Sequence, residues 1–147
     1  MAQNEIAKSN VDTVTLELIN GALRAARAEM EALIDRTSMS PFIREKKDYF
    51  TAFLDRKGNL VVSTSLTLAG NLVEAILEEY PIEDMREGDL YWYNDPYASK
   101  GGVSHLPDMV FVMPVFRDGH LFAFAEAWGH LWDIGGMVPG SISPQAT

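Results

Sequence analysis

Met109 to Phe116 (MVFVMPVF), the dipeptide Asp118-Gly119, and Leu121 to Trp128 (LFAFAEAW) form the stretch whose reading decides the fold. Two apolar runs flank a dipeptide suited to a two-residue turn, because both central positions of that turn need positive φ. The stretch therefore reads as a β-hairpin. A turn centred on Asp118-Gly119 places Asp108 opposite Gly129 and Pro107 opposite His130. His130 then returns beside Asp108, and His105 lies three residues before Asp108 on the incoming strand. Pro114 marks an edge or a bulge, and a bulge shifts the register by one while still returning His130 to the same end. His120 sits beside the turn tip and is expected to be exposed.

Two imidazoles and a carboxylate at one end of a hairpin suit a divalent transition metal with open positions, such as Mn, Fe or Zn. Asp133 is placed to orient one of the histidines. The spacing alone leaves a second reading open, in which His105 and His130 are separate hydrogen-bonded loop residues.

Composition narrows the classes. The chain has 147 residues, 47% of them hydrophobic, enough for one core and one domain over 1–147. A net charge of −9 without a Lys/Arg block disfavours nucleic acid and anionic membrane surfaces. The chain has no cysteine, which removes disulfides and thiol chemistry and fits a cytoplasmic protein. The polar start MAQNEIAKSN lacks a signal-peptide core, and no apolar run approaches the roughly 20 residues of a membrane span.

Outward from the hairpin, the rest reads as α+β. Asp12 is an N-cap for a long helix from about Thr13 to Asp35, with Leu16, Ile19, Leu23, Ala26, Met30 and Leu33 in a seam expected to face the core. Pro41 stops continuation of that helix, and Phe42 to Asp48 reads as a charged surface connector. Tyr49–Leu54 and Leu60–Ser65 form a first hairpin around Asp55 to Gly58, in a mixed or antiparallel sheet. Ala69–Tyr80 is a short second helix stopped by Pro81, and the acidic stretch that follows is a solvated face. Leu90–Tyr93 is an aromatic strand delivering Asn94-Asp95-Pro96, so Asp95 lies at a strand end, where a functional side chain is held rigidly. The glycine-rich Ile134–Ser141 loop is a weak phosphate cradle, and no cofactor-binding motif is found in it. Gly140 to Thr147 reads as a loop that stops in mid-course, as in a fragment or a subunit completed by another chain.

These residues resemble the hydantoinase B/oxoprolinase family: Asn94 to Tyr97, Gly101-Gly102 with His105-Leu106-Pro107-Asp108, His130 followed by Asp133 to Met137, and Pro139 to Ser141. Asp12 to Glu17 and Ser40 to Asp48 are similar as well, in the same order. The resemblance implies an ATP-dependent cyclic amide hydrolase (hydantoinase, oxoprolinase or lactamase) or a related ketone carboxylase acting on acetone or acetophenone. It implies an A-type partner subunit that uses ATP to phosphorylate the substrate, in a hetero-oligomer, and a B-type chain that binds the metal. The ligand set falls on His105, Asp108 and His130, with Asp95 and Asp133 as acid/base or metal-supporting residues. The likeness is to the N-terminal part of a longer B-type subunit. Leu131 stands where many hydrolases carry a second adjacent histidine, as in carboxylase-like members, and Leu66 to Ala69 replaces a histidine-containing segment. A non-catalytic assembly module, binding a larger subunit through the long helix, is the rival reading.

Overall fold

The computed structural model describes residues 11–64, 72–141 and 143–145. Its elements are α1 (Thr13–Thr37), α2 (Pro41–Lys46), β1 (Tyr49–Asp55), β2 (Leu60–Ser63), α3 (Glu74–Glu79), a 3-10 turn (Ile82–Asp84), β3 (Tyr91–Tyr93), β4 (Asp108–Arg117) and β5 (His120–His130). The strands form one sheet in the order β2-β1-β5-β4-β3, antiparallel at every pairing. The expected α+β fold with a long first helix and two hairpins is what forms.

The β4–β5 turn is as expected, with Asp118 at φ 52° and Gly119 at φ 76°. Arg117 pairs with His120 and Phe116 with Leu121, but the next pair is Val115 with Ala123. Phe122 is thus an extra residue on β5, a bulge that advances the register by one. Asp108 therefore faces His130 directly, rather than Gly129. The bulge lies on β5 and not at Pro114, which pairs with Phe124 beyond the end of short β3.

One face of the sheet carries Phe50, Ala52 and Leu54 from β1, Val110 and Val112 from β4, and Phe124 and Trp128 from β5. These pack with Leu72, Val73, Ile76, Met85 and Val103 as the core. The other face takes α1 and α2. Small residues on β5 (Ala125, Ala127, Gly129) leave room there, and Gly129 lies so close to Ile43 that an added Cβ would stand 2.8 Å from its Cδ1. Thr51 reaches Glu31 of α1 at 3.4 Å on this face.

Two expectations change. The α1 seam faces the sheet only in its second half: Leu23, Ala26 and Met30 are half-buried, whereas Leu16 and Ile19 are exposed. Ile34, not Leu33, continues the packed line, because a straight helix drifts off a 3.5-residue repeat. The Phe42–Asp48 connector is in fact a helix for most of its length. Pro41 is its first residue, where a missing N–H costs nothing, and Lys47 ends it in a left-handed conformation at φ 57°. Ile43 is buried beneath it. Residues 65–71, which include Ser65 of the expected second strand, the start of the expected second helix and the Leu66–Ala69 segment, lie outside the described residues. So do 1–10, 142 and 146–147.

Candidate metal centre

Three chain segments meet at the lower end of β1, β5 and β4. Tyr49 pairs with Gly129, and one step further the His130 N–H donates to the Asp48 carbonyl at 3.0 Å. Asp48, His130 and Asp108 consequently lie in one row across three strands. His105 joins them from a tight turn in which the Asp108 N–H donates to the His105 carbonyl at 3.1 Å.

His105, Asp108 and His130 each offer a ligand atom, all within 4.8 Å of one another. His105 Nε2 lies 3.0 Å from His130 Nδ1, and Asp108 Oδ1 lies 3.2 Å from the same nitrogen. Donors about 2.0–2.2 Å from a shared ion stand roughly 3 Å apart at angles near 90–110°, so these separations suit one ion. Asp108 Oδ1 is buried and lies 3.2 Å from His130 Nδ1 without a well-aligned hydrogen bond among the described residues. A buried carboxylate oxygen in that state calls for a cation. Burial pushes the Asp108 carboxyl up, with His105 and His130 opposing and Asp48 adding to the rise. The donor set fits a divalent metal.

The surroundings hold His130 firmly. The Ser40 hydroxyl donates to its carbonyl at 2.6 Å. The Phe42 ring lies 4.3 Å from its imidazole, and Trp132 stacks on Phe42 in turn. His130 is buried, whereas the His105 side chain is 40% exposed, so the centre opens on the His105 side.

Asp95 and Asp133 stand outside the cluster. Asp95 Oδ1 accepts from the Tyr97 and Ala98 N–H groups, closing the Asn-Asp-Pro turn. Asp133 accepts from the Ser141 hydroxyl and the Gly135 and Gly140 N–H groups, bonds that hold its carboxyl below the usual range. Sequence reasoning missed Asp48 as a site residue. Its Oδ2 lies 3.6 Å from His130 Nδ1. The only sequence signal for it was its place at the end of the Ser40–Asp48 segment, since the β1–β5 pairing that delivers it is long-range.

The hydantoinase B/oxoprolinase family profile matches residues 12–147. The chain belongs to that family. It is 33% identical over 145 residues to 5-oxoprolinase 1 of Arabidopsis thaliana, a match covering 95% of this chain and 11% of the plant protein. It is 33% identical over 142 residues to the caprolactamase subunit beta of Pseudomonas jessenii, covering 94% of this chain and 24% of that subunit. The crystal structure of ATP-dependent caprolactamase from Pseudomonas jessenii superposes with a TM-score of 0.75 at 29% identity, over 90% of this chain and 23% of that one. This member of the family thus spans between about a tenth and a quarter of the length of these relatives. No helix among its described residues is long and apolar enough to cross a membrane.

Proposed function

We propose that the chain is the metal-binding part of the B-type subunit of an ATP-dependent cyclic amide hydrolase, acting on a substrate phosphorylated by a partner A-type subunit. The observation that carries this reading is the convergence of His105, Asp108 and His130, with Asp48 beside them. The two carboxylates carry the charge that a dication cancels, and imidazole nitrogen with carboxylate oxygen donors suits Mn, Zn or Fe. An ion held there supplies Lewis acidity to a carbonyl or a water.

The chain's own residues supply the frame. His130 is clamped by Ser40 and shielded by Phe42, which keeps water from one side of the centre. His105, on the open side, adjoins the space a substrate must enter. Asp95 and Asp133 act in this reading by fixing the loops on either side of the centre, and an acid/base role would require them to leave those turns. Similarity to a protein named as a caprolactamase subunit beta supports a hetero-oligomer. Leu131, in place of a second histidine, leaves the choice between a hydrolase and the alternative, a ketone carboxylase subunit, open.

Elemental analysis of the purified chain and of His130→Ala is the test. About one Mn, Zn or Fe per chain, lost in the variant, is expected; metal-free wild type overturns the reading. With an A-type partner and ATP, water-dependent ring opening of a cyclic amide separates the hydrolase from a bicarbonate-dependent carboxylase.

A further inference from the structure

His105 has two ring nitrogens, and the centre needs its lone pair on a defined one. Nε2 points to His130 Nδ1 at 3.0 Å, inside the cluster. Nδ1 points the other way, 2.7 Å from the Ser104 hydroxyl oxygen. Asp108 Oδ2 is the next group near Nδ1, at 3.4 Å. The hydroxyl is thus the better-placed acceptor for an Nδ1–H. Asp108 is left to turn an oxygen toward the cluster.

From this geometry, and resting on the metal-centre reading above, we propose that Ser104 is a positioning residue. Its hydroxyl accepts the proton of His105 Nδ1, and so presents the Nε2 lone pair to the ion. His105 is the ligand that most needs such a hold. His130 is buried and clamped through its carbonyl, whereas His105 sits in a turn on the exposed side. The centre is then asymmetric, taking His105 through Nε2 and His130 through Nδ1. Partners that fix the tautomer of a metal-bound histidine typically contribute 10–100-fold in affinity.

The test uses the full chain with Zn²⁺ as the probe, in competition with a chelating dye. Ser104→Ala is expected to bind one Zn²⁺ per chain 10–100-fold more weakly than wild type, and Ser104→Thr, which keeps the hydroxyl, to bind within about threefold of wild type. Because Ser104 is exposed, both variants should unfold at the wild-type urea concentration when metal-free. In ¹⁵N-histidine NMR of the Zn²⁺-loaded wild type, His105 should show a protonated Nδ1 and a metal-bound Nε2. A loss below tenfold in Ser104→Ala, a loss not rescued by threonine, or a metal-bound Nδ1 on His105 overturns the proposal. Wild type that binds no Zn²⁺, Mn²⁺ or Fe²⁺ overturns instead the reading on which it rests.

Discussion

Replacing Glu126 with glutamine should make the protein more stable above neutral pH, by an amount set by where this carboxyl sits. Glu126 occupies the middle of β5, between Ala52 of β1 and Val112 of β4, and its side chain is only 2% exposed. Burial pushes its carboxyl up from 4.5 to about 7, with no cation or hydrogen bond among the described residues opposing it. In the unfolded chain the group ionises near the ordinary value. Between the two values the unfolded state has lost its proton and the folded state still holds it, so stability falls as pH rises. At 1.36 kcal/mol per unit, the loss accumulated between pH 4.5 and about 7 is about 3 kcal/mol.

Glutamine cannot ionise, so this loss disappears in Glu126→Gln. Its amide still needs buried partners, at a cost that does not vary with pH. The change in the difference between the two proteins is therefore the diagnostic quantity. Urea unfolding of metal-free wild type and variant should show that difference growing by about 2.5 kcal/mol in favour of the variant from pH 5 to pH 8. With m of about 2 kcal/mol/M, the midpoints would separate by about 1.2 M over that range. The carboxyl of Asp108, also raised by burial, titrates in both proteins and cancels. A difference that stays constant from pH 5 to pH 8 would refute the reasoning, since it would mean that Glu126 ionises alike in both states.

Further predictions concern the ends of the same strands. A divalent metal at 100 times its Kd should stabilise the fold by about 2.7 kcal/mol, or roughly 5–10 °C in Tm, and EDTA should reverse this; calorimetry of His130→Ala should show no metal-dependent shift. Ser40→Ala removes the hydroxyl that donates to the buried His130 carbonyl, and denaturant unfolding should record a loss of about 1–3 kcal/mol. Gly129→Ala drives a methyl against Ile43 and should cost about 1–3 kcal/mol by the same measurement. Combining it with Ile43→Val should recover part of that cost, and strict additivity of the two changes would show that the clash is not between these residues.

What could be read from the chain in advance follows the range of each interaction. The turn at Asp118-Gly119, the Asp12 cap and the Asp55–Gly58 loop are set by residues a few positions apart, and all three form. Asp55 accepts from the Lys57 and Asn59 N–H groups, and Gly58 takes φ 80°, as a hairpin loop of that composition requires. The periodicity of α1 gave a helix correctly, but not which half would be covered, because that depends on where the sheet ends. Phe42 to Asp48 showed a charged surface, and its helix depends on Ile43 finding the space over Gly129, a partner 86 residues away. Asp48 was missed for the same reason: its neighbour His130 comes from the far end of the chain, through a strand pairing that no local pattern encodes.

The bulge at Phe122 shows how narrow the margin was for the centre itself. In an antiparallel pair, residues directly opposite share a face, and neighbours along a strand alternate between faces. An unbulged hairpin from Asp118-Gly119 puts Asp108 with Gly129, which leaves His130 on the opposite face from Asp108. The right end of the hairpin would then carry the candidate ligands pointing apart. With one extra residue on β5, the core-facing set changes from Leu121 near the turn to Phe124, Trp128 and then His130. The same change turns Gly129 toward Ile43, so the residue that admits the helix and the residue that meets Asp108 are fixed by one event. Pro114 drew attention to a bulge, but the extra residue lies on the strand opposite. Spacing placed the two residues at the same end, and the bulge puts them on the same side.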